Sequence, residues 1–399
     1  MDPALIYLDN HATTRLDPRV LEAMLPWLTD RYGNAGSGTH EPGREAREAV
    51  ERSRESFAAT IGAAPREIVF TAGATESTNL AILGTWLRVG GGAGGHVVTV
   101  TTEHSAVLDP IAHLERHGVA VTRLPVGRQD GAGIPGGVDP EALGAALRPD
   151  TFLVSLLLAN NEIGVIQAMR PIAAILAGHP AVLHLDCAQA LGRMPMEVDA
   201  LGADLASFSA HKFHGPKGVG ALFVRRRGRP VRIEPLVHGG GQERGMRSGT
   251  HDVPAIVGMA EAARLAIAEL AADTARMRRL RDRLWQRLGA IDGIALNGPP
   301  LDDPATRLVN NLAVRIPGVD GHSLLATLAA DGLAVSSAAA CSSESPRPSH
   351  VLRALGLDED LARASLRFGL SRFTTEAEVD VAAARIARGV ARLRGWATR

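Results

Sequence analysis

Ser207-Phe208-Ser209-Ala210-His211-Lys212-Phe213-His214-Gly215-Pro216-Lys217-Gly218 separates two apolar runs, 203–208 and 219–224, that both read as strands. Lys212 therefore falls in a strand-to-strand loop, with hydroxyl and imidazole neighbours and a turn-forming Gly-Pro behind it. An amine held there suits Schiff-base chemistry with an aldehyde cofactor, and the polar groups beside it suit a phosphate. A solvated loop lysine is the plain alternative, and the surrounding chain has to decide between the two.

Outward from this loop, apolar runs alternate with helical patterns. Residues 67–71 lead through Ala72-Gly73-Ala74-Thr75 into a helix expected near Glu76. Residues 96–101 precede Glu103-His104 and a helix over 107–117, 152–159 run into Asn160-Asn161-Glu162, and 181–185 run into Asp186. Fully apolar strands separated by helices predict an α/β fold with a buried, mainly parallel sheet covered on both faces. In such sheets the ligand crevice lies just beyond the carboxyl ends of the strands. Thr75, His104, Asn161, Asp186 and Lys212 all stand there, each after a different strand. From Val253 a helical pattern rich in Ala, Leu and Arg runs to about Leu288 and predicts a connector into a second domain, with short strands near 311–316 and 333–335. The glycine run 90–95 reads as a flexible connection rather than a phosphate cradle, because no helix start follows it.

At 399 residues two domains are expected. Lys plus Arg and Asp plus Glu are 43 each, so no global field favours nucleic acid or an anionic membrane. Two cysteines, Cys187 and Cys341, argue against a disulfide framework and for a reducing compartment. The first residues show no basic segment followed by an apolar one, and no apolar run is long enough to span a bilayer, so a cytoplasmic protein is expected.

Each candidate has a plain reading beside the chemical one. Gly73-Ala74-Thr75-Glu76-Ser77 is an anion-binding helix start or a simple N-cap. Asp186 is a partner for a protonated pyridine nitrogen or the cap of a helix from Ala188 onward. His104 stacks on a ring and moves protons, or is a satisfied strand-end histidine. His113 and His117, at i and i+4, lack a third ligand in the pattern and read as a solvated helix face. Cys187 reads as a small buried thiol. Cys341 lies in the small-residue stretch 336–346, poor core material and accessible enough for a nucleophile; composition leaves its reactivity open.

Taken in order, the segments resemble the cysteine desulfurases, pyridoxal-phosphate enzymes of the class V aminotransferase family, over nearly the whole chain. The resemblance rests on Tyr7-Leu8-Asp9-Asn10-His11-Ala12-Thr13-Thr14, Gly33-Asn34 through Gly43, and 70–77. It continues through Thr102-Glu103-His104, 160–164, 186–189 and the lysine loop. It ends with 239–250, the Cys341 loop with 348–353, and Arg367-Phe368 through Thr375. It implies the type I fold of pyridoxal-phosphate transferases: a seven-stranded-type sheet in a large cofactor domain, 15–255, and a smaller α+β domain, 1–14 with 256–399, carrying the cysteine loop. Lys212 would hold the cofactor aldehyde, Asp186 its pyridine nitrogen and Gln189 its ring hydroxyl. His104 would stack on the ring and assist proton transfer, and Ala74, Thr75, Ser209 and His211 would hold the phosphate. Thr250 would reach the phosphate of a neighbouring subunit, which implies a homodimer. Asn161, Asn34 and Arg367 would bind substrate or cofactor polar groups, Arg367 gripping the α-carboxylate.

Cys341 would take sulfur from L-cysteine, leaving L-alanine and an enzyme persulfide for an iron–sulfur scaffold or a thiolation relay. No standing metal site is implied, only transient iron–sulfur ligation by Cys341. Selenocysteine lyase, cysteine-sulfinate desulfinase and aminotransferase reactions are alternatives on the same fold, and a silent binding partner is a third class. Departures from the family pattern are Ser-Ser-Ala-Ala-Ala-Cys at 336–341 in place of Ser-Ser-Gly-Ser-Ala-Cys, Ala35 in place of a frequent Pro, and His214 in place of a common Tyr. The chain stops shortly after Trp396, where some relatives carry a longer tail for scaffold docking.

Overall fold

The computed structural model describes residues 5–90, 94–337 and 348–397. In chain order it contains β1 (Ile6–Tyr7), α1 (Pro18–Leu28), α2 (Glu41–Thr60), β2 (Ile68–Thr71), α3 (Ala74–Gly90), β3 (His96–Val100), α4 (Ser105–Arg116), β4 (Ala120–Leu124), α5 (Pro140–Ala146), β5 (Thr151–Leu157), α6 (Met169–Leu176), β6 (Val182–Asp186), β7 (Leu205–Ser209) and β8 (Gly220–Val224). There follow α7 (Val253–Ala268), α8 (Leu270–Leu288), β9 (Ala295–Leu296), β10 (Asn311–Arg315), α9 (Gly321–Ala330), β11 (Leu333–Ala334), β12 (Ser336–Ser337), α10 (His350–Ala354), α11 (Glu359–Arg363), β13 (Ser365–Gly369) and α12 (Glu376–Ala397).

Seven strands form one sheet in the order β2-β8-β7-β6-β5-β3-β4, parallel from β7 onward, with β8 antiparallel to both its neighbours. The strands read as continuously apolar because both of their faces are covered. Alternate residues Ile68, Phe70, Val98, Leu183, Phe208 and Phe223 join the hydrophobic cluster under α1, α2 and α7. Their intervening neighbours Val69, Leu205 and Leu222 pack in a second cluster, and Val97 and Leu153 in a third with Trp86 of α3. A period of two on both sides gives the unbroken pattern in the sequence.

The single long helix expected over 253–288 is two. Asp252 caps α7 through the Ala255 amide, and the helix ends at Glu269, where α8 begins immediately. α7 packs on α1 and α2, whereas α8 packs on α12. α8 and α12 cover a four-stranded antiparallel sheet, β12-β13-β10-β9, whose core residues Leu312, Val314, Leu366 and Phe368 form a separate cluster. A partly buried charge cluster sits at the junction: Arg372 meets Asp17, Glu269 and Asp273, and the more exposed Arg19 meets Asp17 and Glu269. The helix expected after Asp186 is absent; 188–201 is a series of turns, with Gly192 in the left-handed region at φ 76°. β13 carries Arg367 into the space between the two sheets.

Candidate active site

Six of the seven strands run one way and end at one edge of the sheet, and there a cavity of about 860 Å³ opens. Each wall comes from a different strand end. After β2, the chain turns at Gly73, whose φ of 152° favours glycine, and enters α3 at Ala74. Gly220 must also be glycine, because a Cβ there would lie 2.6 Å from the Gly73 Cα. Ala74, Thr75 and Glu76 line the cavity with the first turn of α3. Its amides have no partner within the helix, the arrangement that binds anions. Ser209 and His211, at the end of β7, face the same space. The Ser77 amide donates to the Gly73 carbonyl, closing the turn at 3.0 Å.

Lys212 follows within a short 3-10 turn, and its Nζ donates to the carbonyls of His11 at 2.6 Å and Ala12 at 2.8 Å. His211 is pulled down to about 4 by burial, reinforced by Lys212, Lys217 and Arg193, so it stays neutral amid cations. Its Nδ1 meets Thr13 Oγ1 at 3.1 Å. The next residue but two, His214, takes a left-handed φ of 69°, held by the Thr14 hydroxyl and the Arg15 carbonyl.

Asp186 ends β6 inside the protein, accepts one hydrogen bond from the Ala188 amide at 2.9 Å, and forms no ion pair among the described residues. Burial pushes its carboxyl up. His104 caps α4 by accepting from the Ala106 amide on Nδ1 and also lines the cavity. Burial lowers its basicity, against the opposing pull of Asp186. Asn161, Gln189 and Arg367 complete the lining. Arg367 is buried and donates to Asp9 at 2.9 Å and to the Asn161 carbonyl at 3.2 Å.

Two expected residues lie elsewhere. Asn34 is an exposed turn residue whose Oδ1 accepts from the Gly36 amide, outside the lining. Thr250 is exposed and also outside it, on the segment held by buried Glu243. Cys341 and the 338–347 stretch lie outside the described residues. Cys187 is buried, and burial followed by the nearby Asp186 pushes its thiol well up. His113 and His117 stack on each other and on Trp86, at ring separations of 4.3 and 5.7 Å.

Among the lining residues with no assigned role that the fold adds are His11, Ala12, Thr13 and Lys217. A composition signal marks the last. The chain has two lysines against 41 arginines, and both lysines, Lys212 and Lys217, line this one cavity.

Residues 6–381 match the model of the aminotransferase class-V family. A "Cysteine desulfurase IscS" of Anaeromyxobacter dehalogenans is 50% identical over 390 residues, 98% of this chain and 93% of that protein. One of the same description from Rickettsia bellii is 47% identical over 98% of this chain and 92% of its own length. The solved structure of a "NIFS-LIKE PROTEIN" superposes with a TM-score of 0.87 at 38% identity, covering 96% of this chain and 98% of that one. A buried strand-end carboxylate, a loop lysine and a helix-start turn facing one cavity are what the sheet builds, and the chain belongs to the class V aminotransferase family. Within that family it is a cysteine desulfurase, as its full-length similarity to those enzymes shows.

Proposed function

We propose that the cavity binds pyridoxal 5'-phosphate and L-cysteine, and that sulfur leaves the substrate for Cys341, with L-alanine as the other product. The observation that carries this reading is the convergence of Lys212, Asp186, His104 and the α3 start on one cavity. The residues fit the cofactor on two counts. A carboxylate buried with one hydrogen bond and no ion pair among the described residues suits a protonated ring nitrogen, which offsets the cost of its burial. Unpaired helix amides beside Ser209 and neutral His211 suit a phosphate, with Lys212 and Lys217 adding positive charge.

When bound, the cofactor supplies an electron sink for the substrate Cα. The protein's own groups do the rest. Lys212 would hold the cofactor aldehyde through its side-chain amine, and His104, which lines the same cavity, would stack on the ring and move a proton. Arg367 grips the α-carboxylate, helped by the Asn161 side chain. Cys341, as thiolate, would attack the substrate sulfur; the Cβ–S bond breaks, its electron pair passes to the carbon skeleton that is protonated to alanine, and Cys341 keeps the sulfur as a persulfide. The acceptor of that sulfur is an iron–sulfur scaffold or a thiolation relay.

The reading includes a homodimer in which Thr250 reaches the partner's phosphate. It is supported by Thr250 being exposed and by α1 presenting Leu21, Leu25 and Leu28 to solvent along one stripe beside Tyr32. The division at residue 255 is kept in outline, but α7 packs in the larger hydrophobic cluster and argues for a seam at Glu269. No helix among the described residues is long and apolar enough to cross a membrane, and we place the enzyme in the cytoplasm. Purified protein should show a visible cofactor band and release alanine from cysteine. A colourless protein that gains no band with added pyridoxal phosphate defeats the reading.

A further inference from the structure

Behind the cavity lie two buried arginines, and neither meets a carboxylate among the described residues. Arg193 donates to the Gln189 carbonyl at 2.9 Å, to Gln189 Oε1, to the Lys212 carbonyl at 2.9 Å and to the Asn10 carbonyl at 3.3 Å. Arg307 donates to the carbonyls of Asn297 and Pro299 and to Asn311 Oδ1 at 2.9 Å. Burial lowers them to about 10 and about 9, so both remain cations at neutral pH.

A guanidinium only donates, and this fixes the direction of every bond between the two arginines. Arg307 claims Asn311 Oδ1, so the Asn311 amide nitrogen is the atom that faces His11 Nε2 at 3.3 Å and the Glu162 carbonyl at 3.1 Å. His11 Nε2 must then accept, which puts its proton on Nδ1. Nδ1 faces Gln189 Oε1 at 3.1 Å, the same oxygen that Arg193 takes from the other end. Gln189 Oε1 thus has both lone pairs occupied, and its Nε2 donates one hydrogen to the His11 carbonyl at 3.0 Å. The second Nε2 hydrogen is what Gln189 has left, and Gln189 lines the cavity. His11 itself is held neutral by burial and then by Arg193, Arg367 and Lys212, with only the Gln189 bond pulling the other way.

We propose that Arg307–Asn311–His11–Gln189–Arg193 is a hydrogen-bond chain whose donations converge from both arginines on Gln189 Oε1 and make the Gln189 amide an obligate donor, so that the site favours an ionised ring oxygen on the cofactor. This rests on the pyridoxal-phosphate reading above. Arg193, Arg307, Asn311 and His11 are positioning residues: they act through Gln189. Arg193 also holds the Lys212 backbone, so one cation sets both the amide donor and the lysine.

Two measurements test the chain separately from its consequence. Nitrogen-15 NMR of histidine-labelled apoprotein, with His11→Gln identifying the signal, should show His11 neutral and protonated on Nδ1 from pH 6 to 8. A proton on Nε2, or a charged ring, overturns the chain whether or not any cofactor binds. In the loaded enzyme, the pH midpoint of the visible band follows the proton shared between the lysine-linked nitrogen and the ring oxygen, and a donor to that oxygen lowers it. Arg193→Met should raise that midpoint by about one unit, a tenfold loss of preference for the ionised form, and Arg193→Lys should recover part of it. If Arg193→Met does not fold, Gln189→Glu replaces the donor while keeping a partner for Arg193, and should raise the midpoint further. Folded variants that titrate like the parent overturn the consequence. Absence of any visible band in the parent instead overturns the cofactor reading, with the His11 tautomer still deciding the chain.

Discussion

Glu243→Gln probes a buried ion pair that holds the segment leading to Thr250. Glu243 and Arg54 have side chains 1% and 2% exposed and meet at 2.6 and 2.8 Å. The same carboxylate takes His251 Nε2 at 2.6 Å and the Phe70 amide at 2.8 Å. Glu243 and Arg244 both occupy the left-handed region, at φ 51° and 57°, a conformation that side chains resist unless the surroundings hold it. Burial pushes the carboxyl up, but His251, Arg54 and the Phe70 amide outweigh it and bring it to about 2 from an ordinary 4.5. That gap, at 1.36 kcal/mol per unit, is worth about 3 kcal/mol, and stripping one partner from a buried pair costs about 3–5 kcal/mol in general. The two routes agree.

The sign follows from a depressed carboxyl. Its stabilisation is complete above the unfolded value near 4.5 and is lost as pH falls toward 2. In urea unfolding of the apoprotein, Glu243→Gln should therefore lie about 3 kcal/mol below the parent at pH 7. The difference should stay flat down to about pH 5 and shrink by about 1.4 kcal/mol per unit below 4.5. A variant within about 1 kcal/mol of the parent, or a gap unchanged between pH 6 and 3, refutes this account of the pair.

Borohydride reduction of the loaded enzyme should fix the cofactor to Lys212 and leave Lys217 unmodified by peptide mass, while Lys212→Ala should lose the visible band; a label on Lys217 reverses the assignment. Cys341→Ala should bind cysteine and cofactor yet release almost no alanine, whereas Cys187→Ala should stay active and lose about 1 kcal/mol of stability, a small-volume change in a packed site. Persulfide found on Cys187 by mass spectrometry defeats that contrast. Confirmed heterodimers of Thr250→Ala and Lys212→Ala subunits should regain activity, because both lesions then fall in one site and leave the other intact; inactive heterodimers count against sharing.

The sheet was legible because period-two burial on both faces writes itself as unbroken apolar runs, and its ligand edge followed from where those runs stop. Thr75, His104, Asn161, Asp186 and Lys212, picked out on that ground, do share one cavity. The break at Glu269 was not legible: Leu, Ala and Arg keep helical spacing across it, and what ends α7 is a distant cluster of Arg19 and Arg372 around the Glu269 carboxylate. Nor was the turn after Asp186, where the left-handed Gly192 stops any helix from forming. That Asn34 stands outside this lining was not legible, because a motif gives order along the chain and not direction in space. Arg193 and Arg307 gave no signal at all, since arginine is expected at the surface and only the folded chain shows these two buried.

A chain that uses arginine almost everywhere a cation is needed, and keeps lysine for one cavity, has made its amine chemistry local. Reagents that acylate amines at random on most proteins would here find the two cavity lysines and the chain terminus. Coupling to a resin or a dye through lysine would thus block or report on the cavity itself, and protection by a bound ligand would read out occupancy without any enzymatic assay. The guanidinium surface, charged well beyond the pH at which such reagents work, would keep the labelled protein in solution.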